Sequence, residues 1–172
     1  MFFPAHVPDI HNARMIEVFG GPAANLTLDW DVAVCNSQWS RVFTGLRTGM
    51  NLIEWLFLDP AAQRMPNWGQ AARQFLLWYL DAQERDSGTR RAFQLLCSCA
   101  AENPALKPLL QDPDPEELTR IWNEPAPMVA TDPATGLETT FRFRIQSPVG
   151  FDPQTLQRRS TAYYTMLGIA DR

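Results

Sequence analysis

Histidine is scarce in this 172-residue chain: there are only two, His6 and His11, both near the N-terminus. Cysteine is scarce too, with three residues, Cys35, Cys97 and Cys99. So few soft ligands exclude a structural zinc site, and Cys97-Ser98-Cys99 has one intervening residue where zinc and redox motifs have two. The thiols are expected to be small, reduced core residues, and the histidines to be solvated. Positive charge is in deficit, with 15 basic against 19 acidic residues, a net charge of −4 and a pI of about 5.1. That excludes a direct grip on nucleic acid, because phosphate binding needs a basic face. Long hydrophobic runs are missing as well. Stretches such as Leu76–Leu80 fall far short of the ~20 residues a spanning helix requires. The opening "MFFPAH" has no basic leader and is broken by Pro4, so no signal peptide is read and the cytoplasm is the expected location.

Catalytic motifs are also wanting. Gly20-Gly21-Pro22 lacks the pattern that follows in a phosphate-binding loop. No nucleophile stands with a base in a recognisable motif. Asp112, Asp114, Glu116 and Glu117 read as a charged loop and helix N-terminus, and Asp29 and Asp31 as turn residues. Cys35-Asn36 has the wrong order, and a strand setting, for the reactive cysteine of a flavin photosensor. No catalytic residue, cofactor or metal is therefore expected.

What is present is a chain that can fold. Hydrophobic residues make up 45%, enough for a sizeable core, and the length suits one domain. Residues 1–9 read as a loose arm and 10–172 as a single domain. A first helix over about 9–19 carries Ile10, Ala13, Met15, Ile16, Val18 and Phe19, and "GGP" stops it. Leu26, Leu28 and Trp30 alternate with Asn25, Thr27 and Asp29, as in a strand. A turn at Asp29-Trp30-Asp31 leads to a second strand through Val32, Val34 and Asn36. Ser37 is the expected cap of a helix bearing Trp39, Val42, Phe43 and Leu46. Asn51 starts the next helix, which Asp59-Pro60 ends. Asn67 caps a long one whose stripe is Trp68, Ala72, Phe75, Tyr79 and Ala82. A helix over Thr89–Ala101, a partly helical proline-rich stretch and a short helix over Glu116–Asn123 follow.

The period then changes. Phe141, Phe143 and Ile145 alternate with Thr140, Arg142 and Arg144, the clearest strand signal in the chain. "MVATDPATGLETTFRFRIQS" reads as two strands about a turn at Gly136. "SPVGFDPQTLQR" and "STAYYTMLGI" read as a final hairpin turning near Arg159–Ser160. Strands at both ends and helices between them indicate α+β. One antiparallel sheet of about five strands, with the helices on one face, is a PAS-like architecture.

Three segments add a resemblance. "LTLDWDVAVCNSQWSRVF", "MNLIEWLFLDPAAQRMPNW" and the Pro-Val-Gly turn of "SPVGFDPQTL" resemble, in order, segments of the ligand-binding domain of MmyB-like transcription regulators. The likeness runs from about Ile10 to Leu167. It implies a PAS-like sensor of a small, largely apolar ligand such as a fatty acid, normally preceded by a helix-turn-helix domain. About ten residues precede the sensor here, so that domain is not expected in this chain. The segment around "LLCSCAAENPALKPLLQDPDPEELTRIWNEP" diverges, with Ile121-Trp122 at the family's Leu-Trp position.

The expected ligand-binding residues are Trp39, Phe43, Trp55, Phe57, Trp68, Phe75, Trp78, Phe141 and Phe143, facing a shared interior. Each ring alone reads as core packing; the set together reads as the wall of an apolar pocket. Arg142 and Arg144 should face away from the helices, and Arg73 could anchor a ligand carboxylate. The expected partners are an apolar small molecule or fatty acid and, as an allowed assembly, a homodimer, with no nucleic acid and no membrane. The competing expectations are a stand-alone domain recruited as a biosynthetic enzyme on a hydrophobic substrate, and a structural module with a filled core that docks another protein.

Overall fold

The structure is a computed structural model that describes residues 10–85, 90–110, 114–132, 134–146, 149–151, 158–160 and 163–171. Helix α1 (Ile10–Val18) leads into a hairpin of β1 (Ala23–Thr27) and β2 (Val32–Cys35). Helices α2 (Ser37–Val42), α3 (Leu52–Leu58), α4 (Pro60–Gln63), α5 (Trp68–Arg85) and α6 (Arg90–Glu102) follow. A 3-10 helix over Pro104–Leu110, with Pro108 inside it, precedes α7 (Pro115–Asn123). The chain closes with β3 (Pro127–Thr131), β4 (Glu138–Gln146), β5 (Val149–Phe151), β6 (Arg158–Ser160) and β7 (Tyr163–Ala170). Strands β2-β1-β7-β4-β3, in that order, form one five-stranded antiparallel sheet. This is the expected α+β, PAS-like arrangement, in which the N-terminal hairpin joins the C-terminal strands and the central helices supply the cover.

The final hairpin differs from expectation. β5 pairs with β6 in a separate two-stranded ribbon, and Arg159 and Ser160 are strand residues within it. Both sides of β7 are already paired, with β1 on one and β4 on the other, so β5 has no place beside it. β7 suits the interior of the sheet because Tyr164 and Met166 on one face alternate with Leu167 and Ile169 on the other.

Side-chain amides hold the element ends together. Asn36, rather than Ser37, caps α2: its Oδ1 accepts from the Trp39 amide at 2.9 Å and the Ala23 amide at 3.1 Å. Its Nδ2 donates to the carbonyls of Ile16, Phe19 and Gly21. One 6%-exposed side chain thus joins α1, β1 and α2. Asn51 caps α3 as expected, accepting from Ile53 and Glu54, and its Nδ2 ties the helix to Asp29 and Asp31 in the β1–β2 turn. Asp59 ends α3 and caps α4 through the Ala61 amide. Asn67 diverges from its expected role. Its side chain donates to the Pro127 carbonyl at 2.6 Å and accepts from the Val129 amide at 2.9 Å. Residues i and i+2 of an edge strand present their free backbone groups to the same side, so this amide pairs with β3 as a further strand would.

Most of the core lies between the helices and the sheet, where Ala24, Leu26, Met128, Phe143, Tyr164 and Met166 meet residues of α2, α3 and α5. The strand pattern across β1 breaks because Asn25 is buried too, at 1% exposed. Helix α1 packs against β1 and β2. Asn25 Oδ1 accepts from Thr165 Oγ1 on the neighbouring β7 at 3.0 Å. Polarity at this position therefore reports a hydrogen bond across the sheet, not a solvated face.

Candidate functional site

The interior facing the sheet is an assembly of rings. Phe43, just after α2, is its hub: its centroid lies 4.0 Å from Trp39, 5.3 Å from Phe143, 5.6 Å from Trp55 and 6.3 Å from Phe75. Phe75 reaches Trp78 at 5.6 Å, and Phe143 reaches Phe141 at 6.3 Å. Seven of the nine expected site residues thus form one continuous network drawn from α2, α3, α5 and β4. Such separations are those of rings in direct offset or edge-to-face contact.

Two expected residues lie apart from that network. Phe57 is buried on α3, and its carbonyl accepts from Gln63 Nε2 and Asn103 Nδ2. Trp68 is partly buried and donates from Nε1 to the Leu56 carbonyl at 2.8 Å. Trp55 also spends its indole N–H, on the Thr44 carbonyl at 3.1 Å. By contrast, Trp39 Nε1 and Trp78 Nε1 are buried without a hydrogen-bond partner. A second aromatic group, not nominated from the sequence, consists of Trp30, Tyr79 and Tyr164, with Trp30 5.6 Å from Tyr79 and 6.3 Å from Tyr164. Tyr79 stood in the apolar stripe of α5, and Trp30 read as a turn residue. The available signal was the choice of tryptophan and tyrosine where phenylalanine would fill a core without a polar atom.

Arg73 is engaged by neighbouring elements. Its Nε and Nη2 grip Glu117 Oε1 and Oε2 at 3.0 and 2.7 Å, and its Nη1 donates to the Leu109 carbonyl. It clamps α5 to α7 and to the 3-10 helix, at the rim of a cleft of about 470 Å³ lined by Gln74, Leu77, Ile121, Pro125 and Arg142 among others. Arg142 and Arg144 alternate with Phe141 and Phe143 along β4, but instead of facing away from the helices as expected they reach the end of α7 and the loop after it. Arg142 bonds the Pro125 carbonyl and Asp171, and Arg144 the Trp122 carbonyl.

Hydrogen bonds from Arg73 hold the Glu117 carboxyl below its usual range against the opposing effect of burial, and the charges of Arg73 and Arg120 lower it further. A depressed carboxylate stabilises the fold above its ordinary pKa of about 4.3, and that contribution is lost as pH falls through the lowered folded value. Urea midpoints should show it. Wild type should exceed Glu117→Gln by about 1 kcal/mol at pH 7, and the gap should close in acid. A gap that is the same at pH 7 and pH 3 would contradict this assignment.

The cysteines divide. Cys99 is buried, and burial, with Glu54 and Glu102 adding, pushes its thiol up to about 11. It is a core residue whose thiol is kept from ionising at neutral pH. Cys35 is partly buried and Cys97 is exposed, so the core reading does not hold for Cys97. Among the described residues no helix is long and apolar enough to cross a membrane.

An antiparallel sheet with an aromatic interior under its helices is a PAS-like architecture. The chain belongs to the MmyB-like transcription regulator ligand binding domain family, whose model matches residues 14–140. No curated protein and no solved structure matches the chain. A ligand-binding domain of this family takes up a small molecule. The match stops short of Leu167, so the Val149-Gly150 part of the Pro-Val-Gly marker lies beyond it, and Pro148 lies outside the described residues.

Proposed function

We propose that this domain is a non-catalytic sensor of an apolar or fatty-acid-like molecule, held in the aromatic interior between α2, α3, α5 and β4. The observation that carries the reading is the ring network centred on Phe43 and Phe143, combined with family membership. Apolar pockets are lined by such rings with a few polar groups among them. The unpartnered indole N–H groups of Trp39 and Trp78 are the polar groups here. A dry core gains nothing from them, and each costs about 1–3 kcal/mol when buried unpaired. An occupant enters by parting rings that now touch, so its uptake is coupled to movement of the helices against the sheet. That movement is the signal, passed to a DNA-reading domain or to a second copy of the chain.

The close ring contacts also favour a second reading, a filled core in a module that docks another protein. Native mass spectrometry of the purified protein separates the two. The sensor reading expects a co-purified apolar molecule, or one taken up from a fatty-acid panel at one per chain. A chain that stays empty across the panel supports the filled module instead.

A further inference from the structure

The Trp30–Tyr79 group is not used by the ring network, and its geometry is unusual in three ways. Trp30 sits in the β1–β2 turn with φ of +66°, a left-handed conformation that a bulky residue adopts only under constraint. It is held there by hydrogen bonds from its amide to the Thr27 carbonyl and from the Leu52 amide to its own carbonyl. Its ring is 1% exposed and meets the fully buried ring of Tyr79, from the middle of α5, at 89°. Finally, Trp30 Nε1 and Tyr79 Oη are both sealed from water and both lack a hydrogen-bond partner. Native interiors pair the large majority of such donors. Two orphans on contacting rings, brought together by a strained turn, mark a place prepared for an acceptor.

We infer that Tyr79 Oη and Trp30 Nε1 receive the uncharged carbonyl end of the apolar ligand, as in an ester, a ketone or a neutral acid, in preference to a carboxylate. This rests on the apolar-ligand reading above and adds the polar end to it. Both groups can donate. Asp29 belongs to the same turn as Trp30. Burial first, and the negative charge of Asp29 second, raise the pKa of the Tyr79 hydroxyl, so it stays protonated and available as a donor. The same two influences oppose a carboxylate brought to that spot, since an anion there would be desolvated beside another anion. A neutral carbonyl meets neither penalty and accepts from both donors.

Titrations of the full chain with decane, methyl decanoate and decanoate at pH 8 test this, with Tyr79→Phe and Trp30→Phe alongside wild type. Wild type should bind the ester about tenfold more tightly than the alkane and more tightly than the carboxylate. Tyr79→Phe should lose the preference for ester over alkane while binding the alkane as before, and Trp30→Phe should lose part of it. Tyr79→Phe should also melt no lower than wild type, because it removes an unpaired buried hydroxyl, and this shows that the variant is folded. An unchanged ester preference in Tyr79→Phe, or a wild type that prefers decanoate, overturns the inference but leaves the sensor reading standing. If wild type binds none of the three, the inference is overturned, and uptake of longer chains alone decides the sensor reading.

Discussion

Replacing Gly168 by alanine is expected to destabilise the domain by about 3 kcal/mol, the upper end of the cost of overpacking a core. A Cβ at this position on β7 would lie 2.7 and 2.8 Å from Cε1 and Cζ of Phe143 and 2.6 Å from Cγ of Pro22. Neither neighbour can yield cheaply. Phe143 is wedged among Trp39, Phe43, Phe75 and Phe141. Pro22 is fixed by its own ring and by the 2.7 Å bond from the Gly168 amide to its carbonyl. Glycine is required here for close approach. The ring network uses the space a methyl group would occupy, so the substitution should also disturb whatever the network holds. Urea unfolding should show a lower midpoint with little change in slope. A midpoint within experimental error of wild type would mean that the sheet and the rings are not packed as described.

Asn36→Asp should be comparably severe, although it is nearly isosteric. The carboxylate can still accept from the Trp39 and Ala23 amides, as Asn36 Oδ1 does. Its second oxygen, however, would face the carbonyls of Ile16, Phe19 and Gly21, which now receive the Nδ2 hydrogens. Losing the donor and pressing an anion against three acceptors in a 6%-exposed site should cost about 3 kcal/mol or more. The penalty should ease as pH falls and the new carboxyl takes up a proton, since the neutral acid can donate once. Stability of Asn36→Asp relative to wild type should therefore rise between pH 7 and pH 4. A constant difference over that range would argue that Asn36 acts as a helix cap and nothing more.

These positions show where the sequence was legible. The period-two pattern of Phe141, Phe143 and Ile145 located β4, and the same Phe residues joined the ring network on the helix side. Asn51, Asp59 and Gly136 did what their local chemistry indicates, a helix cap, a helix break and a turn at φ of +71°. Legibility failed wherever a side chain answered to a distant partner. Asn67 lies at the start of α5, but its amide serves an edge strand sixty residues on. Asn25 has the polarity of a solvated position, yet it is buried beneath a bond from Thr165. Ser37 was a good local cap, displaced by an asparagine that could satisfy five backbone groups at once. The β5–β6 ribbon was misplaced for a similar reason, since strand pattern does not say which neighbour a strand finds.

The ring network was read in outline. Seven of the nine expected residues came together because large rings at helical and strand spacing face the same interior. Phe57, two residues after Trp55, lies on the other side of α3, and Trp68 shares a face with Phe75 but stands two turns away along α5. Trp30 was read with Leu26 and Leu28 on the apolar side of a strand and in the turn that follows, but not as a site residue. Its partner Tyr79 was visible only as one more apolar stripe residue. Unpartnered donors are a property of three-dimensional packing, and no window of sequence displays them.

The central claim, uptake of an apolar molecule into the ring network, is tested most directly by thermal unfolding with increasing concentrations of C10 to C18 acids, esters and alcohols. A ligand bound only by the folded chain at 100 times its Kd adds about 2.7 kcal/mol, which for a domain of this size raises Tm by about 5–10 °C. The account predicts such a saturable rise for at least one long-chain compound, absent for its C4 counterpart and reduced in Phe43→Ala compared at equal distance from its own Tm. A Tm unchanged across the panel at saturating concentrations would contradict it.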